Sequence, residues 1–353
     1  MSNTMIRVEG VSDRARAAQA LAAPLIFGKA FADLMAVAKH TRDLGWHDVA
    51  IVPFGPLSLS PAAKVLHYGL EVFEGHKVYR WEDGDVAMFR PDRNAQRLND
   101  SARRMRMPEV PVDLQLAAED ALVDLVRHWV PAGVGCSLYL RPMLIATEGA
   151  LGVLPASEHL YAVFASPAGP YFPRGFEPIS VVAELEQPRA VQGGIGAAKT
   201  GGNYGAGIDA KARARDAGFD EVLFLDAHEH RYLEELSGMN VFVVEAGERL
   251  VTPPLGGTIL AGITRASILE LASDLGLQAS EHPLDVYEVA RAIDAGLITE
   301  MLAVGTAAVV TPVGKLTLHG SCHTLGNGTP GPLGRRIYDA ITGIQYGRTP
   351  DPR

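Results

Sequence analysis

GGIGAAKTGGNYG, residues 193–205, decides how the rest of the chain is read: a single lysine, Lys199, stands among Gly193, Gly194, Gly196, Gly201, Gly202 and Gly205. Glycines let backbone approach a bound group closely and adopt conformations closed to other residues. A lysine held in such a loop suits two chemistries. It can be a point charge on a nucleotide phosphate, or an amine nucleophile that forms a Schiff base with a carbonyl cofactor. The phosphate-loop pattern needs glycine directly before its lysine, and Ala198 occupies that place. A solvated lysine on a flexible surface loop is the alternative that this stretch alone leaves open.

Composition narrows the setting. A chain of 353 residues suits two domains at roughly 150 residues each. It is 47% apolar and 21% charged, as an ordinary globular enzyme is, and its net charge of −9 argues against nucleic-acid and anionic-membrane partners. Cys136 and Cys322 are too few for a disulfide framework, so a reducing compartment is expected. No apolar run reaches the ~18 residues of a membrane helix. Arg14 and Arg16 lie in an Ala-rich stretch faintly like a transit peptide, but Glu9 and Asp13 precede them, so a cytoplasmic location is expected.

Working outward, the first fifty or so residues read as irregular, with a helical pattern over 31–40. Residues 49–53 and 56–59 read as strand pieces punctuated by prolines. Residues 77–81 and 86–89 form a hairpin around Asp83-Gly84. Ala95, Leu98, Ala102 and Met105 recur with helical period over 92–105, beside Arg93, Arg97 and Arg104, which alone would read as a solvated basic face. A second helix runs over 116–129. The strand over 137–145 puts Tyr139 and Arg141 on one face, a pairing suited to a small carboxylate. Past the strand at 160–166, the Pro/Gly-rich segment 167–178 reads as a structured connection. Strands and helices then alternate: strands over 179–185, 221–226, 240–244 and 300–304, and helices over 204–217, 264–275, 285–295 and 335–344. His319, Cys322 and His323 lack a fourth ligand, so no metal site is expected. His228-Glu229-His230 reads as a hairpin tip.

Several separated segments, in order, resemble one family: VLHYGLEVFEG, SLYLRPML, SPAGPYF, GGIGAAKTGGNYG, EELSGMN, VTPPLGGTILAGITR, GTAAVVTPVG and GIQYG. Over about 45–347 the chain resembles the branched-chain-amino-acid aminotransferases, which are pyridoxal-phosphate enzymes of fold-type IV. The resemblance implies a two-domain α+β and α/β architecture like that of D-amino-acid aminotransferase. A small N-terminal α+β domain is expected over 1–167, a connecting loop over 168–179, and a larger C-terminal α/β pseudo-barrel domain, which binds the cofactor, over 180–353.

The resemblance implies transamination of leucine, isoleucine and valine with 2-oxoglutarate or glutamate, through a Schiff base on Lys199. It assigns Glu235, with Asn240 five residues on, to the pyridine nitrogen and Tyr204 to the phenolic oxygen. Arg97, Ile263, Thr264 and Thr306 are assigned to the phosphate. Phe73, Tyr139 and Tyr171 are placed around an apolar substrate side chain. Thr306 and Ala307 go to the substrate carboxylate, with Arg141 nearby. A homodimer is implied. Glu234 points the opposite way from Glu235 on extended backbone. The chain departs from the pattern at Thr200, where a bulky apolar residue is common, and at Ala308 and Thr311, where mammalian members carry a redox cysteine pair. A sister chemistry on the same fold, D-amino-acid transamination or aminodeoxychorismate-lyase-like cleavage, would keep Lys199 and Glu235 and differ in the substrate pocket.

Overall fold

The computed structural model describes residues 6–172, 175–246 and 249–352. By compactness these fall into two units. The first comprises residues up to Tyr171 with Ala198–Gly201 and Gln345–Gly347; the second holds the remainder. Pro173 and Arg174, within the expected connecting loop 168–179, lie outside the described residues.

The first unit is built on β1 (Arg7–Val8), α1 (Arg14–Leu21), β2 (Leu34–Thr41), β3 (Gly45–Pro53), α2 (Lys64–Tyr68), β4 (Glu71–Phe73), β5 (His76–Arg80), β6 (Val86–Met88), α3 (Pro91–Arg104), α4 (Val112–Val126), β7 (Ser137–Ala146) and β8 (Glu158–Ala168). The strands form one sheet in the order β1-β3-β2-β8-β7-β5-β6, and β4 also pairs with β7. The two ends of β7 have different partners: Leu138–Leu140 face β5, while Met143–Ile145 face β4. Leu98, Leu114, Leu122, Leu138, Leu140, Leu144 and Trp129 meet in a core between the sheet and α3 and α4. Burying each such side chain stabilises by about 1.5–3 kcal/mol.

α3 presents two adjacent stripes inward. Ala95, Leu98 and Ala102 enter the core, while Asn94, Arg97 and Ser101, at i, i+3 and i+7, form a buried polar stripe. Arg97 therefore does not share the solvated face of Arg93 and Arg104. Residues 31–40 also differ from the sequence reading. They hold the strand β2, paired on both sides with β3 and β8. Leu34, Met35, Ala36 and Ala38 are buried, so the period-2 alternation that marks a half-exposed strand is missing. Residues 56–59 are not a strand.

The second unit contains β9 (Ile179–Glu184), α5 (Gly201–Asp216), β10 (Glu221–Leu225), β11 (Leu233–Leu236), β12 (Asn240–Glu245), β13 (Arg249–Thr252), α6 (Ile263–Leu271), β14 (Gln278–Glu281), α7 (Val286–Asp294), β15 (Ile298–Gly305), β16 (Val309–Leu318), β17 (Ser321–Thr324) and α8 (Pro332–Gln345). Its strand order is β11-β10-β9-β16-β15-β12-β13-β14, and a further β11–β12 pairing closes β11, β10, β9, β16, β15 and β12 into a barrel. Alternation assigns the two faces. Val241, Val243, Met301 and Ala303 join one core, and Phe242, Val244, Leu302 and Val304 join another with Ile268, Ile337 and Ile341 of α6 and α8. The molecule is thus α+β with a closed barrel, the architecture of fold-type IV.

In the first unit His159 is buried against His40, their rings 5.8 Å apart. Burial, with His40 adding to it, depresses the His159 pKa from 6.5 to about 4. The unfolded chain then binds this proton below pH 6.5 while the folded chain resists it until about pH 4, so stability is lost as pH falls through that window. His159 alone accounts for up to about 3 kcal/mol near pH 4. Thermal melts from pH 7 to 4.5 are expected to fall more steeply for the wild type than for His159→Gln; parallel curves would contradict this assignment.

Candidate active site

Lys199 lies in the segment Ala198–Gly201 that clusters with the first unit. The segment is pinned by backbone. The Phe73 N–H donates to the Lys199 carbonyl at 2.9 Å, and the Lys199 N–H donates to Ser101 Oγ at 2.9 Å. Glu71 accepts from the Gly201 N–H and from Thr200 Oγ1, so the Thr200 side chain is fully buried against a carboxylate. From this mount the Lys199 amine sits 4.8 Å from the centroid of the Phe73 ring. Burial, reinforced by the nearby Arg97, lowers its pKa below that of an ordinary lysine, and Glu74 and Tyr139 oppose the shift only in part.

Around this amine the first unit gathers Phe73, Tyr139 and Arg141. The Arg141 guanidinium lies 4.8 Å from the Phe73 ring centroid and 5.4 Å from that of Tyr139. Arg141 Nη2 donates to the Tyr139 hydroxyl at 3.4 Å, and Arg141 Nε is buried with no hydrogen-bond partner among the described residues. An orphaned guanidinium N–H costs free energy unless a ligand accepts from it. Tyr171 belongs to the same aromatic group through Phe27, whose ring is 6.0 Å from Tyr171 and 4.8 Å from Tyr139. Arg97 is held by Glu74, with Nε 2.7 Å from Oε1 and Nη2 2.9 Å from Oε2. Glu74 is buried, which alone would raise its carboxyl pKa. Arg97, Lys199 and a hydrogen bond from Asn94 outweigh that and hold it below the usual range.

The second unit carries the other residues singled out above. β11 and β12 pair so that Glu235 is opposite Asn240, and Asn240 Nδ2 donates to Glu235 Oε2 at 3.1 Å. The Leu260 N–H donates to the same oxygen at 3.2 Å, and Arg189 Nη2 faces Oε1 at 2.9 Å. Glu234, on the opposite face of the strand, is buried too rather than solvated; burial raises its pKa against a hydrogen bond with Thr258 and the charge of Arg189. Gly262 caps α6 without a side chain, and a Cβ there would lie 1.9 Å from Asn240 Oδ1. Ile263 and Thr264 open that helix, where N–H groups and the helix dipole favour an anion. Tyr204 lies in the first turn of α5, near Gly238. Thr306, Ala307 and Ala308 form the turn between β15 and β16, followed by Val309 at φ 61°, an outlier for a β-branched residue.

His319 stacks on Tyr287, and His323 Nδ1 pairs with Asp294 at 2.9 Å; neither meets Cys322 in a ligand cluster among the described residues. Glu74 and Arg189 were not identified from sequence, although Glu74 stands inside the VFEG segment that carries the resemblance.

The family model for amino-transferase class IV matches residues 71–316. The chain belongs to this family, among the branched-chain-amino-acid aminotransferases. It is 48% identical to the branched-chain-amino-acid aminotransferase of Mycolicibacterium smegmatis, over 92% of this chain and 89% of that one. The crystal structure of the Escherichia coli branched-chain amino acid aminotransferase superposes with a TM-score of 0.74 at 31% identity, covering 86% of this aminotransferase and 94% of that one. The T.th. branched-chain amino acid aminotransferase with pyridoxamine 5'-phosphate gives a TM-score of 0.74 at 29% identity, covering 89% and 96%.

A Cβ on Gly75 would lie 1.6 Å from the Tyr139 hydroxyl, so this aminotransferase needs glycine there to seat the ring. Gly75→Ala is expected to move that hydroxyl by more than about 1 Å and cost about 1–3 kcal/mol through overpacking. A crystal structure and melt of the variant check both; an unmoved Tyr139 would contradict the packing argument.

Proposed function

We propose that the chain transfers the amino group of branched-chain L-amino acids to 2-oxoglutarate, with pyridoxal 5'-phosphate as cofactor and Lys199 as its covalent anchor. The observation that carries this reading is the buried Lys199 amine, 4.8 Å from the centroid of the Phe73 ring in a glycine-rich loop, with its pKa lowered by that burial.

The residues present fit the cofactor by the chemistry of their donors. Lys199 offers a nucleophilic amine for its carbonyl. Arg97, the opening of α6 at Ile263 and Thr264, and Thr306 offer cation and N–H donors for its phosphate. Glu235, steadied by Asn240, offers a carboxylate for its ring nitrogen, and Tyr204 a hydroxyl for its phenolic oxygen. When bound, pyridoxal phosphate supplies the carbonyl that takes up the amino group and the electron-poor ring that stabilises negative charge at the substrate Cα.

The chain's own groups do the rest. Lys199 Nζ, its pKa lowered by burial, accepts the proton from the substrate Cα and keeps it at hand for return. Phe73, Tyr139 and Tyr171 remove an aliphatic side chain from water. Arg141 Nε and the backbone of Thr306 and Ala307 receive the substrate carboxylate; an Arg fork beside aromatic rings also tolerates the charged side chain of glutamate.

The domain division 1–167, 168–179 and 180–353, a cytoplasmic location and a homodimer complete the proposal. Leu66 of α2 and Leu151, Val153 and Leu154 of a loop are 59–79% exposed on the first unit, and the loop is tied to α2 through Lys64 Nζ and the Leu154 carbonyl at 3.1 Å. A second copy of the chain is the partner that best accounts for so much ordered, exposed aliphatic surface.

Lys199→Ala is expected to abolish transamination in a folded protein, and Glu235→Gln to lose most of the rate with cofactor retained. A larger loss in Glu234→Gln would shift the assignment by one residue. In a donor panel, leucine should exceed alanine in kcat/KM on the order of 50-fold, from three more buried carbons at about 0.8 kcal/mol each. Equal values for the two donors would refute the apolar cage, and faster turnover of D-leucine would favour the sister chemistry. A fully active monomer by sedimentation would contradict the dimer.

A further inference from the structure

Glu74 touches no reacting atom in the proposed reaction, yet donors surround both of its oxygens. It is 1% exposed. Oε1 accepts from Arg97 Nε at 2.7 Å, and Oε2 accepts from Arg97 Nη2 at 2.9 Å, Asn94 Nδ2 at 2.8 Å and the Gly75 N–H at 3.1 Å. Asn94 and Arg97 are three residues apart on one face of α3, so both side-chain donors come from a single rigid element. The Glu74 backbone is anchored as well, its N–H donating to the Pro142 carbonyl at 2.7 Å.

This construction answers a physical need. An arginine has a long side chain with much rotamer freedom to lose, and a buried guanidinium without a carboxylate is costly. Glu74 engages the Nε–Nη2 edge side-on, which fixes the plane of the fork. It also neutralises Arg97. An anion that binds there meets a donor already oriented, so the gain comes from preorganisation rather than from net charge.

We propose that Glu74 is a positioning residue for the cofactor phosphate: through its paired oxygens it holds Arg97 in the one orientation that receives the phosphate. The inference rests on the reading of Arg97 as a phosphate ligand. Its signature is selective, since it concerns the phosphate and not the ring or the aldehyde.

The test compares apoenzyme binding of pyridoxal 5'-phosphate with that of pyridoxal, which lacks only the phosphate, in Arg97→Ala, Glu74→Gln, Glu74→Asp and the double variant Arg97→Ala/Glu74→Gln. Arg97→Ala is expected to weaken pyridoxal phosphate by about 100-fold and pyridoxal by less than about threefold. Glu74→Gln is expected to weaken pyridoxal phosphate at least about tenfold with pyridoxal again within threefold, and to add nothing in the double variant. Glu74→Asp keeps the charge but is too short to span both nitrogens, so it should show a smaller loss with the same selectivity. It serves as the deciding variant should Glu74→Gln not fold. If the Glu74 variants weaken both ligands alike, or neither, while Arg97→Ala still discriminates, the positioning role is overturned. If Arg97→Ala itself fails to discriminate, the assignment of Arg97 is what falls.

Discussion

The surroundings of Lys199 are governed by the burial of its amine, which disfavours the protonated form. Desolvation lowers the lysine pKa, and the nearby Arg97 charge lowers it further. The same burial would be ruinous with cations alone, so a carboxylate is needed close by. Glu74 supplies it, and most of what surrounds Lys199 follows from seating that charge. α3 turns Asn94, Arg97 and Ser101 inward as a polar stripe, and β4 places Phe73 under the amine. Gly75 is stripped of a side chain so that Tyr139 can lie against it.

The second unit handles charge in a parallel way. Glu235 is buried on a barrel strand and shared among Arg189, Asn240 and the Leu260 N–H. A carboxylate held by that many partners is fixed in place. Both units use the same physical device, in which a buried carboxylate is surrounded by donors and the charge is aimed by its neighbours. Breaking such a pair by removing one partner costs about 3–5 kcal/mol. Asp and Gln replacements are therefore more informative than deletions here.

Much of this was legible in the sequence. The periodicity of α3, the β5–β6 hairpin around Asp83-Gly84, and the lysine among glycines need only local pattern, and the spacing of motifs over 45–347 pointed to the family. The misses have physical causes. β2 read as helical because both of its faces are covered, which erases alternation. β16 was not drawn as a strand because Pro312 and Gly314 interrupt it. Pro312 stands opposite Leu302 of β15 where pairing with β9 has not yet begun, since that pairing starts at Val313. The adjacent Glu234 and Glu235 read alone as a solvated turn, yet both are buried and both feel the charge of Arg189. Glu74 and Arg189 escaped notice because their roles lie in what they touch: a glutamate in a strand or an arginine before a loop has no local signature until its partner is in place.

The central claim is that the Lys199 amine is the cofactor's point of attachment. It is tested most directly by treating the purified protein, reconstituted with pyridoxal 5'-phosphate, with borohydride and mapping the modified peptide by mass spectrometry. The account predicts loss of the visible absorbance and a single phosphopyridoxyl group, on Lys199 in the peptide that spans the glycine-rich loop. Attachment at a different lysine, such as the buried Lys77 or Lys64, or no covalent label at all, would contradict it.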